Sequence, residues 1–367
     1  MSDPRTTPLV QSLPASVPFV GPEAQERLRG APFAARIGAN ENVFGPSPRA
    51  ITAMQTAASE IWKYGDPTSH DLRAALAAHH GVAMGNIVVG EGIDGLLGYL
   101  VRLLIGSGDN VVTSDGAYPT SNYHVTGFGG VLHKVPYRDD HEDLDALIGT
   151  AHKVGAKLIY FANPDNPMGT WHSGTDVVRA LDAMPDGCLL LLDEAYVDCA
   201  PPGTAAEIAI DDPRVIRMRT FSKAHGMAGA RVGYALGPAG LIGEFEKVRN
   251  HFGMNRAAQA GALAALNDPE WLAQVCARIA AARDRIAAIA AENGLRAVPS
   301  ATNFVAVDCG QDGDFARAVL AGLLARGLFV RMPFVAPQDR CIRISCGQDA
   351  DLDLLADALP EVLAEVR

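Results

Sequence analysis

The 367-residue sequence predicts an α/β fold, a mostly parallel seven-stranded sheet flanked by helices, with a smaller α+β domain after it. Two observations carry this reading. From residue 86 onward short apolar runs alternate with longer helical patterns, the rhythm of strand, crossover helix and next strand. The length also exceeds one ordinary core, since domains hold roughly 100–200 residues each.

Taken in order, residues 1–40 read as a proline-rich arm that joins the small domain at its end, with one short helix around 23–29. Such an arm is suited to embrace a partner subunit. The large domain is expected over 41–240, entered through the turn-rich G-A-N-E-N-V-F-G-P-S-P at 38–48. Ser47-Pro48 then starts an amphipathic helix over about 49–61, W-K-Y-G-D-P makes a turn, and a second helix covers 69–80. Strands are predicted at 87–89, 110–114, 131–135, 157–161, 189–193, 215–219 and 233–236, with helices at 95–104, 144–152 and 175–183 between them. Residues 241–367 hold an interdomain helix and the small C-terminal domain. An alanine-rich stretch with few breakers, 239–266, bridges to it, and 268–293 continue as helix. F-V-A-V-D at 304–308, a helix at 314–326, L-F-V-R at 328–331, C-I-R-I-S-C at 341–346 and a last helix complete the α+β unit.

Composition narrows the function. Hydrophobic content of 48% with 20% charged residues is that of a soluble globular chain, and a formal charge of −11 argues against a nucleic-acid partner. The six cysteines show no C-x-x-C pair and no metal-finger spacing, so a reduced, cytoplasmic setting and no metal are expected. The first residues lack the pattern of a signal peptide, and no apolar run approaches the roughly 20 residues needed to span a membrane.

In open sheets of this kind ligands bind beyond the carboxyl ends of the strands, and polar motifs collect there. R-T-F-S-K-A-H-G-M-A-G-A-R-V-G-Y at 219–234 puts Lys223 in a small-residue turn just after a strand. A desolvated lysine there can attack a carbonyl, and Thr220 and Ser222 beside Arg231 offer a phosphate cradle, so a phosphorylated aldehyde is suggested. A surface lysine in a glycine-rich loop is the plainer alternative. L-L-L-L-D-E-A-Y ends an apolar strand on Asp193, a carboxylate that needs a cationic or hydrogen-bonding partner. A protonated aromatic nitrogen would serve, with Tyr196 reaching the same ligand; a simple turn cap is the alternative. Tyr118 follows another strand and is placed either to stack on a planar ring or to pack with its hydroxyl satisfied. N-P-D-N-P-M-G at 163–169 aims the Asn166 amide at a ligand oxygen, unless it is turn chemistry alone. Arg343 and Arg331 suit a carboxylate clamp or ordinary salt bridges.

One motif points elsewhere. Gly90, Gly92 and Gly95 spell G-x-G-x-x-G between a strand and a helix, and Asp115 ends the next strand, the layout of a dinucleotide fingerprint. Read more generally, the amides of Gly92, Ile93 and Asp94 open a helix whose positive end holds a phosphate.

Together these segments resemble the fold-type I pyridoxal-phosphate aminotransferases, most closely the histidinol-phosphate aminotransferase branch. The resemblance runs from N-E-N-V-F-G-P-S-P at 40–48 to C-I-R-I-S-C-G at 341–347 and is most specific in N-P-D-N-P-M-G, D-E-A-Y and S-K-A-H-G-M-A-G-A-R-V-G-Y. It implies pyridoxal 5'-phosphate as cofactor, with Lys223 forming the Schiff base, Asp193 pairing with the ring nitrogen, Asn166 and Tyr196 contacting the phenolic oxygen, and Tyr118 stacking on the ring. The phosphate would be held by the amides of Ile93 and Asp94, by Thr220, Ser222 and Arg231, and by Tyr64 from the other subunit of a homodimer. Arg343, Arg331 and Asn42 fall to the substrate, and the implied reaction is ping-pong transfer of an amino group from histidinol phosphate or an aromatic amino acid to a 2-oxo acid. The chain departs from the family pattern at Ile93-Asp94-Gly95, at His225 where an aromatic such as Phe is commoner, and at Phe19 where the branch often has tyrosine. The weaker alternatives are a phospho-amino-acid decarboxylase on the same cofactor, a nicotinamide dehydrogenase, and a non-catalytic cofactor-binding regulator.

Overall fold

The computed structural model describes residues 5–15 and 20–367; Phe19 lies outside the described residues. Seven strands form the central sheet in the spatial order Ile87–Gly90, Gly233–Leu236, Val215–Thr220, Leu189–Asp193, Leu158–Ala162, Asn110–Ser114, Val131–Val135. Gly233–Leu236 opposes both of its neighbours, and the other pairings are parallel. The predicted sheet is therefore present, with one reversed strand next to an edge.

The run L-L-L-L explains why the middle of this sheet is a single apolar block. Successive side chains of a strand point to opposite faces, so a strand covered on both faces has no polar positions to alternate with. Leu189 and Leu191 pack with Leu96, Leu97, Leu100 and Val101 of the helix Gly92–Leu104. Leu190 and Leu192 pack on the other face with Leu147 and Ala151 of Leu144–Val154 and Val177 of Gly174–Asp182. Asp193 is thus delivered to the carboxyl end of a strand that cannot shift register without burying its acid elsewhere.

A second apolar cluster gathers the strands Phe304–Asp308 and Cys341–Ser345 with the helices Pro269–Glu292, Gly313–Ala325 and Asp349–Val366. Ala35 and Ile37 from the start of the chain belong to it, because Ala35–Arg36 pairs in parallel with Leu328–Phe329. The turn-rich residues 38–48 then pass from this cluster to the mouth of the large sheet.

Several expectations need correction. The dinucleotide fingerprint fails on topology: Ile87–Gly90 is an edge strand whose one neighbour runs antiparallel, whereas that fold places its first strand inside a parallel sheet. Asp115 is turned to Lys134, 3.1 Å away, and is not at the glycine loop. The alanine-rich stretch 239–266 is not continuous. Ala239–Glu244 ends in a short 3₁₀ turn, and Arg256–Leu266 starts anew with Asn255 accepting from the Ala258 amide at 2.8 Å. A helix at Thr120–Gly127 was not anticipated, its sequence having no apolar periodicity. Of L-F-V-R only Leu328–Phe329 is strand, and Arg331 joins Arg343 through an isolated bridge.

Leu191 is fully buried between two helix layers. Replacing it with alanine is expected to remove about 3 kcal/mol of stability, read as a lower denaturant midpoint, and an unchanged midpoint would contradict this packing.

Candidate active site

The site is assembled where Val215–Thr220, Leu189–Asp193 and Leu158–Ala162 end. After Thr220 the chain turns tightly, with the Ser222 amide donating to Thr220 Oγ1 at 3.0 Å and the Gly226 amide to the Lys223 carbonyl at 3.0 Å. Gly226 has φ +68°, and a Cβ there would lie 2.5 Å from the Gly45 backbone, so only glycine lets residues 38–48 cross over the lysine. Lys223 Nζ then donates to the Asn40 carbonyl at 3.2 Å and sits 5.4 Å from the centre of the Tyr196 ring. Burial, reinforced by the Arg343 guanidinium, pushes its pKa down to about 8.

Facing it, Asp193 is only 4% exposed. Its carboxylate accepts from the Tyr160 hydroxyl at 2.8 Å and from the Ala195 amide at 3.0 Å. No arginine or lysine pairs with it among the described residues, and burial pushes its pKa up to about 6. Both groups line one cavity of about 340 Å³ together with Ile93, Asp94, Tyr118, Asn166, Tyr196 and Arg231. Thr220 and Ser222 line it too.

One end of the cavity is suited to an anion. The helix Gly92–Leu104 begins without a side-chain cap, leaving first-turn amides unsatisfied. Gly92 has φ +74°, and a Cβ on it would meet Arg231 Nη2 at 2.5 Å. A Cβ on Gly233 would strike the Gly92 carbonyl carbon at 2.7 Å and the Ile93 nitrogen at 2.8 Å, so both glycines keep this cradle open. Arg231 adopts the left-handed region at φ +56° and reaches back to Ser222 Oγ at 3.3 Å and Asp94 Oδ2 at 3.2 Å. Asp94 also accepts from the Tyr118 hydroxyl at 3.0 Å.

The other end opens into a second space of about 210 Å³ shared by Tyr118, Asn166, Lys223, Arg331, Phe334 and Arg343. Arg343 donates to Asn166 Oδ1 at 2.6 Å and to the Gly38 carbonyl at 3.3 Å, while its buried Nε has no partner. Burial pushes its pKa down to about 10. Arg331 donates to the Val20 carbonyl at 2.7 Å. Neither arginine has a carboxylate within ion-pair distance among the described residues, so a ligand anion is the natural counter-charge.

Two sequence-derived site residues lie elsewhere. Asn42 lines neither space: its amide donates to the carbonyls of Lys223 and Ala224 at 3.2 and 2.9 Å and accepts from the Phe44 amide at 3.0 Å, so it braces the lysine turn and is not free for substrate. Tyr64 is 80% exposed and stacks on Phe252 at 4.8 Å, away from the cavity of its own chain. His225, where the family pattern more often has an aromatic such as Phe, packs on Phe221 at 4.7 Å, and burial lowers its pKa.

The sequence reading missed Tyr160 and Asn40. Tyr160 was detectable as the one hydroxyl in L-I-Y-F, two residues before the position paired with Asp193. Asn40 donates to the Tyr196 hydroxyl at 3.1 Å and carries the carbonyl that holds Lys223. Its only signal was its place in the turn-rich N-E-N.

Comparison with known proteins agrees with this arrangement. A match to the family described as "Aminotransferase class I and II" covers residues 35–359. Histidinol-phosphate aminotransferase 1 of Mesorhizobium japonicum is 36% identical over 335 residues, 90% of each chain. Histidinol-phosphate aminotransferase of Moorella thermoacetica is 32% identical over 98% of this chain and 94% of its own. The crystal structure of histidinol-phosphate aminotransferase from Sinorhizobium meliloti in complex with pyridoxal-5'-phosphate superimposes with a TM-score of 0.96, at 54% identity over 99% of each chain. The chain belongs to the class I and II aminotransferase family.

Proposed function

We propose that the protein is a pyridoxal 5'-phosphate-dependent aminotransferase that passes an amino group from histidinol phosphate, or from an aromatic amino acid, to a 2-oxo acid such as 2-oxoglutarate. The carrying observation is that Lys223 and Asp193 line one cavity that continues into a space bounded by two arginines lacking acidic partners. The names of the relatives support the phosphorylated donor.

The residues present fit the cofactor. Asp193 is a buried carboxylate without a cation, which a protonated ring nitrogen would offset. The uncapped helix start at Gly92, with Ser222, Thr220 and Arg231, fits a phosphate. When bound, the cofactor supplies an electron sink for the bond broken at the donor's Cα. Tyr160 and the Ala195 amide hold the Asp193 carboxylate toward the ring nitrogen. Asn166 and Tyr196, which line the cavity, would hold the phenolic oxygen, and Tyr118 would cover the ring. Lys223, whose amine is about half neutral near pH 8, would hold the aldehyde and, once released, is placed to move the proton at the donor's Cα. Arg343 and Arg331 receive the anionic end of the substrate.

We also assign residues 41–240 to the cofactor domain, and 1–40 with 241–367 to the arm, interdomain helix and small domain. The shared core of Ala35 and Ile37 with residues 275–363 supports this. A homodimer in which Tyr64 of a second copy completes the phosphate site is supported by the exposure of Trp62 (79%), Tyr64 and Phe252 on one chain. Six free cysteines fit a cytoplasmic enzyme.

The purified protein is expected to show a near-visible absorbance that borohydride abolishes and that Lys223→Ala lacks. Given histidinol phosphate and 2-oxoglutarate it should form glutamate in step with donor consumed. With phenylalanine or tyrosine as the donor, which unlike histidinol phosphate has a carboxylate to lose, release of carbon dioxide in place of glutamate formation would overturn the transaminase reading. Tyr64→Phe should raise the cofactor dissociation constant about tenfold, the order of one charge-assisted hydrogen bond; unchanged retention would contradict the shared site.

The lysine sets a pH dependence with a definite sign. Only the neutral amine attacks a carbonyl, so capture of the cofactor by cofactor-free protein should quicken as pH rises toward about 8 and level off above it. An ordinary lysine would keep gaining to pH ~10.4, and that profile would show Lys223 to be unperturbed.

A further inference from the structure

Beneath the turn that carries Asn166, Glu142 and Asp165 are 1% and 2% exposed. Their carboxyls are within hydrogen-bonding reach of each other, and among the described residues neither forms an ion pair. Each is otherwise surrounded by donors. Glu142 Oε2 accepts from Ser114 Oγ at 2.5 Å and Oε1 from the Ala162 amide at 3.0 Å. Asp165 Oδ1 accepts from the Tyr137 hydroxyl at 2.7 Å and Oδ2 from the Met168 amide at 3.0 Å. The remaining titratable neighbours are Tyr160 and His172, whose Nε2 meets the Glu142 backbone carbonyl at 2.8 Å, and Arg343, reached through Asn166.

Two buried carboxylates side by side with no cation in ion-pair contact resist being ionised together. We propose that Glu142 and Asp165 share a single proton, and that this acid–carboxylate pair is the clamp that fixes the turn 163–166 with the Asn166 carboxamide facing the site. Burial pushes both carboxyls up, and the Asp165 charge adds to the effect on Glu142, while the hydroxyl and amide donors around each offset it in part. The turn is also tied by the Asp165 amide to the Thr170 carbonyl at 2.9 Å, by the Asn163 amide to the Asp193 carbonyl at 2.9 Å, and by the Asn163 side chain, which donates to the His172 carbonyl at 3.1 Å and accepts from the His172 amide at 2.9 Å. Asp165 is therefore anchored on its backbone to the loop and on its side chain to Glu142, one residue before the asparagine that meets Arg343 and Tyr196. Glu142 and Asp165 are positioning residues, and their effect on turnover rests on the function proposed above.

Two measurements test this. In cofactor-free protein at neutral pH, the infrared difference between wild type and Glu142→Gln should contain a protonated carboxylic-acid carbonyl band belonging to the wild type. Its absence would overturn the shared proton. In cofactor-loaded protein, Glu142→Gln keeps a donor toward Asp165 and an acceptor for Ala162, so its kcat/KM should stay within about twofold of wild type. Glu142→Leu removes both and should lower kcat/KM by about tenfold or more while shifting the pH midpoint of the cofactor absorbance. Glutamine falling as far as leucine, or leucine titrating like wild type, would overturn the clamp. A protein that binds no cofactor would defeat the proposed function but leave the infrared result to decide the pair.

Discussion

Burial of the Asp193 carboxylate at the end of a wholly apolar strand is the constraint on which the site depends. The strand is locked by helices on both faces, so the acid cannot relax toward solvent. Two neutral donors, the Tyr160 hydroxyl and the Ala195 amide, satisfy its lone pairs without cancelling its charge. A cavity that holds an uncompensated negative charge against a desolvated lysine is primed for a ligand that is cationic at one atom and electrophilic at another. The surrounding groups are arranged around that requirement.

The lysine is positioned from two distant parts of the chain. Its own turn fixes the backbone, and residues 38–48 cross above it, giving the Asn40 carbonyl to Nζ and the Asn42 amide to the Lys223 and Ala224 carbonyls. The same N-terminal segment is tied to the small cluster, because the Ser345 amide donates to the Ile37 carbonyl at 2.8 Å and Ser345 Oγ to Asn40 Oδ1 at 3.3 Å. Arg343 sits two residues earlier on that strand. Any movement of the small cluster against the large sheet is thereby felt at Lys223 and at Arg343 together.

What was legible in the sequence is what local chemistry enforces. Asp193 ends an apolar strand and Lys223 follows another in a turn of small residues, so their placement needed no knowledge of distant contacts. The glycine cradle was legible as a helix start but not as a topology, since an edge strand and a central one read alike; only pairing with the reversed strand Gly233–Leu236 excluded the dinucleotide reading. N-E-N gives no hint which asparagine faces the cavity; the left-handed backbone at Asn40, φ +55°, turns that residue toward Tyr196, while Asn42 bonds to the lysine turn. Tyr160 and the Glu142–Asp165 pair depend on contacts between elements 20 or more residues apart in sequence, which no motif spacing encodes. The role proposed for Tyr64 requires a second copy of the chain, which no motif encodes.

The protonation of the cofactor's ring nitrogen tests the central claim most directly. With ¹⁵N-labelled pyridoxal phosphate bound, the nitrogen resonance of the wild-type protein should report a protonated pyridine throughout the neutral range, and Asp193→Asn should shift it to the unprotonated position. The same resonance in both proteins would mean that the acid at the strand end is not matched to the ring, and the account of this site would fail.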